Sequence, residues 1–212
     1  MLTASNPIAL SRREARRIGR REAILDVAQN SFLEHGYAGT TMSAIAAKLG
    51  GSKATLWSYF PSKDLLFAAV LDRATHDFRQ QLSLILNPHD DIALALNRFA
   101  RGLLQKVTSP PAVALHRLVA GEAGRFPEIG RIFYDRAAGR TKAMLADYLA
   151  AAMERGQLRR AEPMTAACHL LGMCLYGLQH QLLVGTIGQV SLEMVATEAE
   201  QGIAAFLRAY AD

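Results

Sequence analysis

Apolar residues recur three and four positions apart along almost the whole 212-residue chain, and nowhere do they alternate over the length of a strand. That periodicity admits amphipathic helices and little else. Prolines and clusters of Gly, Ser, Asn and Asp interrupt it at 36–40, 50–52, 60–62, 87–91, 108–111, 126–128, 156–163 and 185–191. These breaks leave about nine helices, so the expected class is all-α. Residues 1–11 are expected to form a mobile arm. Half of the residues are hydrophobic, enough to fill a substantial core.

The same pattern limits location and chemistry. The start of the chain meets its arginines before any apolar h-region, so no signal peptide is expected. The most apolar stretch, Leu170 to Leu178, is too short to span a membrane and runs into Gln179, His180 and Gln181. A soluble cytoplasmic protein without membrane contact is expected. Cys168 and Cys174 lie six apart on one helix and point in different directions, so they are expected to be buried free thiols. The six histidines form neither HxxxH nor HExxH, so neither a metal nor another cofactor is expected.

The N-terminal third carries a recognisable arrangement. A long helix is expected from Arg12 to His35, with Ile24, Leu25, Ala28 and Phe32 on one inward stripe and Gly36 as its C-cap. Thr40 is the expected N-cap of a second helix whose buried side is Met42, Ile45, Ala46 and Leu49. Gly50-Gly51 makes a turn, and SKATLWSYF forms a third helix stopped by Pro61. Two short helices joined by a Gly turn, behind a longer one, make a helix-turn-helix domain over 12–61. Residues 62–212 form the remainder.

Charge supports that division. Residues 1–63 hold 9 Lys+Arg against 4 Asp+Glu, whereas residues 64–212 hold 15 of each. All the excess positive charge of +5 therefore lies in the first third, as in a module for nucleic acid or another anionic surface. On the third helix, Ser52, Leu56 and Phe60 are expected to face inward. Ala54 and Ser58 point away, flanked by Thr55 and Trp57. Small residues let a helix enter the major groove, hydroxyls reach bases or phosphates, and an indole N–H can donate to phosphate. Arg12, Arg13, Arg16, Arg17, Arg20 and Arg21 fall within ten residues. They form either a solvated face or a further phosphate-binding or minor-groove element.

The segment GYAGTTMSAIAAKLGGSKATLWSYFPSKDLLFAAVLD resembles the N-terminal signature of the TetR family of transcriptional regulators over about residues 16–72. The resemblance implies a TetR-like fold and DNA binding. Thr41 would hold phosphate, and Lys53, Thr55 and Ser58 would face bases or nearby phosphates. Trp57 stands where the family usually has Tyr, and Tyr59 where it usually has His. Both would grip the DNA backbone, as would Lys63. Gly51 replaces the customary Val of the turn.

The segment from Arg117 to Arg159 resembles the AefR-like C-terminal domain of the same family. No charge occurs between Glu162 and Glu193. A helix uncharged all round is buried all round, here between the core and a partner subunit. Leu171, Leu175, Leu178 and Leu182 form one of its faces; His169, Met173, Tyr176 and His180 form the opposite one. Which of them meets a partner is left open. The last helix adds Val195, Ala199, Gly202, Ile203, Phe206 and Tyr210, and a charge at Phe206 is expected to split a dimer. The resemblance implies a homodimer through these two helices. It also implies a small-molecule effector, expected to be largely apolar, for which Phe99, Leu103, His116, Met144, Met173 and Tyr176 are candidate wall residues, each also compatible with plain core.

The leading expectation is thus a dimeric repressor bound to a palindromic double-stranded operator and released by its effector. An adaptor whose basic third binds an acidic protein is the alternative. An enzyme is not expected, since GxGxxG, P-loop, HExxH, GxSxG and paired-carboxylate patterns are all missing.

Overall fold

The computed structural model describes residues 11–211, apart from the side chain of Ser83. The expected arm therefore lies, up to residue 10, outside the described residues. The described residues are helical, in the order α1 (Arg12–Gly39), α2 (Met42–Lys48), α3 (Lys53–Tyr59), α4 (Lys63–Ile85), α5 (Ile92–Val107), α6 (Pro110–Glu122), α7 (Pro127–Phe133), α8 (Gly139–Glu154), α9 (Pro163–Val184) and α10 (Leu192–Tyr210). A π-helical turn, Tyr134–Ala138, joins α7 to α8. The two form one irregular rod, so the described residues make nine rods. The chain divides into two compact units at Val70/Leu71, inside α4. The division falls within the helix because Leu66 and Phe67, in its first turns, are fully buried with the residues before them.

In the first unit, α1 begins with a capping box. The Glu14 N–H donates to the Ser11 hydroxyl oxygen, and the Ser11 N–H donates back to the Glu14 carboxylate at 2.9 Å. Ile24, Leu25, Ala28 and Phe32 are buried as one stripe. At Gly36, φ is +72°, which interrupts the helix before a last turn through Gly39. Phe32 stacks on Tyr37, and both meet the ring of Phe67 edge-on. Thr41, not Thr40, caps α2, accepting from the Ala44 N–H at 3.1 Å. Thr40 is buried and donates to the carbonyls of Ser31 and Gly36, closing the end of α1. Sequence could not separate the two threonines, because either one starts a capping pattern.

In the second unit, α5 packs on α9 and α10, and α8 packs on α9. Leu96, Phe99, Leu145, Leu149, Leu170 and Phe206 lie in one continuous core. The α9–α10 crossing is close, since a Cβ on Gly202 would lie 2.6 Å from the Cys174 sulfur. Glu162 caps α9 ahead of Pro163, and Gly185 ends the helix with φ +80°.

Two expectations about buried faces are corrected here. The α10 stripe of Val195, Ala199, Gly202, Ile203, Phe206 and Tyr210 is buried within its own chain. A charge at Phe206 would therefore disrupt folding before it could report on assembly. On α9, Cys174 is buried as expected, but Cys168 is exposed. An uncharged helix reveals that two faces are apolar, not which of them its own chain covers.

Candidate nucleic-acid interface

Two short helices and the start of a long one position the candidate residues. The turn between α2 and α3 relies on Gly50, whose φ is +61°. At Gly51, a Cβ would meet only the movable end of a side chain from α1. The Arg20 guanidinium lies across it, 2.6 Å from where a Cβ would sit, and donates to the Leu49 carbonyl at 3.5 Å. The turn is thus packed by an arginine from α1.

Ser52 does not face inward as expected; it is the exposed N-cap of α3. Its hydroxyl oxygen accepts from the Thr55 N–H at 3.2 Å and lies 2.9 Å from the Thr55 hydroxyl. Leu56 and Phe60 alone anchor the helix in the unit's core. Lys53, Ala54, Thr55, Trp57 and Ser58 are exposed, and Tyr59 is half-buried. Trp57 retains 40% of its accessible surface, unusual for a tryptophan with core available. The Ser58 hydroxyl donates to the Thr55 carbonyl at 2.7 Å, which turns its lone pairs outward as acceptors. Thr41 is exposed at the start of α2. Six of the seven expected DNA-facing residues, Thr41, Lys53, Thr55, Trp57, Ser58 and Tyr59, therefore lie on or beside exposed helical surface.

Lys63 is placed differently. Its ammonium donates to the carbonyls of Tyr37 at 2.8 Å and Thr40 at 3.2 Å, and sits 4.0 Å from the Tyr37 ring centroid. Asp64, the next residue, accepts from the Tyr37 hydroxyl. Lys63 thus closes the end of α1, a role that motif resemblance does not suggest.

The arginine cluster has a defined neighbourhood. Arg13, Arg16, Arg17 and Arg20 of α1 face Ser58 and Tyr59 of α3 across a cleft of about 710 Å³, with Glu14 at its edge. Hydrogen bonds from the Ser11 hydroxyl and then its N–H lower the Glu14 pKa, so this carboxylate stays ionised but is committed to the cap. Arg21 turns away, over the Phe60 ring at 5.5 Å and beside Glu22.

The residues expected to line an effector site do not form one group. Phe99 and Leu103 are buried in the second unit's core, and Met144 packs against that core. His116 is half-buried with its ring 5.4 Å from that of Phe133, and burial lowers its pKa. Met173 and Tyr176 lie on the outer face of α9, at 41% and 75% exposure. Sequence reasoning passed over a further cluster in this unit. Asp72 accepts from Arg136 of the π-helical turn at 2.7 Å, with Arg79 and Arg140 about it at 4.0 and 3.9 Å. Arg79 also donates to the Arg136 carbonyl at 2.8 Å, and the Thr75 hydroxyl does so at 3.5 Å, so α4 is tied to that turn three times. Among the described residues no group of three His, Cys, Asp or Glu could hold a metal ion, and no helix is long and apolar enough to cross a membrane.

Known proteins resemble this chain in sequence and fold. Residues 24–70 match the profile described as bacterial regulatory proteins, tetR family, and residues 94–212 match the AefR-like transcriptional repressor C-terminal domain. Among solved structures, the flavonoid-responsive regulator FrrA is 34% identical, with a TM-score of 0.76 over 91% of this chain and 98% of its own. A protein described as a TetR-family transcriptional regulator from Mesorhizobium loti MAFF303099 is 28% identical, with a TM-score of 0.81 over 93% and 99%. The HTH-type transcriptional repressor ComR of Escherichia coli K12 is 36% identical over 34% of this chain and 35% of ComR. The chain aligns with less than half the length of the curated relatives it matches.

Proposed function

The chain belongs to the TetR family of bacterial regulatory proteins, and on that premise we propose that it is a dimeric repressor that binds a near-palindromic operator and is released by a small, largely apolar effector. The observation that carries the DNA-binding part is the outer face of α3. It presents Lys53, Thr55, Trp57 and Ser58 from a helix only two turns long, anchored by Leu56 and Phe60. Such a face suits the major groove, with Lys53 and Ser58 reaching base edges or nearby phosphates.

A single short helix reads only a few base pairs, so useful specificity requires two copies. The outer face of α9 suits that need. Met173, Tyr176 and Val184 are exposed on a helix whose 22 residues carry no Asp, Glu, Lys or Arg, and Tyr176 stacks on His180. An isologous dimer through α9, flanked by α10, would cover this face and bring two copies of α3 to one near-palindromic site.

The effector is proposed to act in the second unit. FrrA is a flavonoid-responsive regulator, and flavonoids are the first compounds to try as ligands of this chain. Half-buried His116 beside Phe133 supplies one polar group in an apolar setting. Helix α4 runs from Lys63 to Ile85 and so belongs to both units. Its ties to Arg136 offer a route by which movement of the α7–α8 rod reaches the DNA-binding end. Selection of duplexes from a random pool by the purified protein tests the reading. The expected result is a two-fold-symmetric site, with sequence preference altered by Lys53→Ala or Ser58→Ala. Equal binding of selected and random duplexes at moderate salt would overturn it.

A further inference from the structure

Four arginines of α1 share one face of the helix. Taking Arg13 as the origin, Arg17, Arg20 and Arg16 fall at about 40°, −20° and −60° around the helix, an arc of about 100°. The stripe is about 10 Å long at ~1.5 Å rise per residue. Surface guanidiniums are normally offset by carboxylates one turn away, and here the offset is missing. Glu14 is held by Ser11, and Glu22 lies beside Arg21. Arg13, Arg16 and Arg17 are exposed and have no ion-pair partner among the described residues. Arg20 is turned toward the α2–α3 turn. The four line one cleft with Ser58 and Tyr59, the C-terminal residues of α3's outer face.

We propose that the face of α1 formed by Arg13, Arg16, Arg17 and Arg20 is a second DNA-binding surface, which seats the sugar–phosphate backbone of the strand next to the bases that α3 reads. This rests on the reading of α3 as the recognition helix. A duplex seated on α3 brings one strand past Ser58 and Tyr59 and into the cleft. The stripe is long enough to meet about two neighbouring phosphates of one strand. Arg13, Arg16 and Arg17 are exposed along an open cleft whose wall Arg20 completes, which suits phosphate oxygens spread along a backbone better than base edges in a groove.

The test compares wild type, the double variant Arg16→Gln/Arg17→Gln and the double variant Arg16→Lys/Arg17→Lys on a duplex selected by the wild-type protein and on a scrambled duplex, across a salt series. Both positions are exposed, so circular dichroism and the thermal midpoint should not change. The Gln variant is expected to bind both duplexes more weakly, by roughly 10–100-fold near 0.1 M salt. The slope of log affinity against log salt should be shallower by about 1.8, or ~0.9 per lost phosphate contact. The Lys variant should keep most of the slope. Unchanged affinity and slope in the Gln variant, with wild type still selective, would overturn the α1 surface while leaving α3 in place. A changed sequence preference would overturn the backbone assignment in favour of minor-groove reading. Loss of selectivity in the wild type itself would remove the reading of α3, and this proposal with it.

Discussion

The Lys63 ammonium lies 4.0 Å from the centroid of the Tyr37 ring and donates to the Tyr37 carbonyl at 2.8 Å. One side chain thus satisfies two carbonyls at the end of α1 and stacks on an aromatic ring of the same unit. Lys63→Ala should therefore lower stability without DNA by about 1–3 kcal/mol, because a charged donor to part-buried carbonyls is lost with its cation–π contact. Urea unfolding of the free protein measures this. A midpoint equal to wild type, accompanied by weaker DNA binding, would instead show a residue devoted to phosphate.

The outer face of α9 and the stripe of α10 should respond to charge in opposite ways. Tyr176→Glu places a carboxylate on exposed surface and should give a folded monomer by sedimentation, with operator affinity lost along with the dimer. Phe206→Glu buries a charge against Tyr210, to which Phe206 is stacked at 4.5 Å. It should unfold the second unit or destabilise it by several kcal/mol. A Tyr176→Glu protein that still sediments as a dimer would move the interface elsewhere.

Arg136 joins the π-helical turn to α4 through Asp72. Arg136→Ala should change stability little, about 1 kcal/mol or less, because both partners are more than a third exposed. Its expected effect is on coupling. An effector that binds the wild type should loosen operator binding by roughly 5–150-fold, and operator should weaken effector binding by the same factor. In Arg136→Ala the effector should bind as before while that factor shrinks. Titrations of each ligand with and without the other decide the matter.

Burial lowers the pKa of His116 below the ordinary value of 6.5. The unfolded chain then takes up this proton before the folded one does. The contribution to stability is complete above about pH 6.5 and declines as pH falls from there toward the folded pKa. Urea midpoints measured from pH 7.5 down to 5.5 should show wild type losing stability relative to His116→Gln as pH falls. Parallel curves would mean that His116 titrates alike in both states.

The helices themselves were legible in sequence, because a 3.6-residue period and its breakers are local properties. The Gly36 break and the glycine turn at Gly50 both act within a few residues of the chain. The outer face of α3 was legible for the same reason, with Leu56 and Phe60 marking its inner side. Ser52 was misplaced because an angular projection assumes helical backbone, and the cap residue has left the helix. Cys168 was misjudged because an uncharged helix does not reveal which of its sides the chain covers.

Chain-distant partners were settled only by the tertiary structure. Lys63 meets Tyr37 across 26 residues, and Arg136 meets Asp72 across 64. The arginines of α1 acquire their neighbours Ser58 and Tyr59 only when three helices pack around Leu56 and Phe60. Periodicity determines which residues share a face, because the pitch of the backbone is the same everywhere. It says nothing of what that face meets. That depends on how apolar stripes far apart in the chain bury one another, and the polar residues around them are carried into place by that packing.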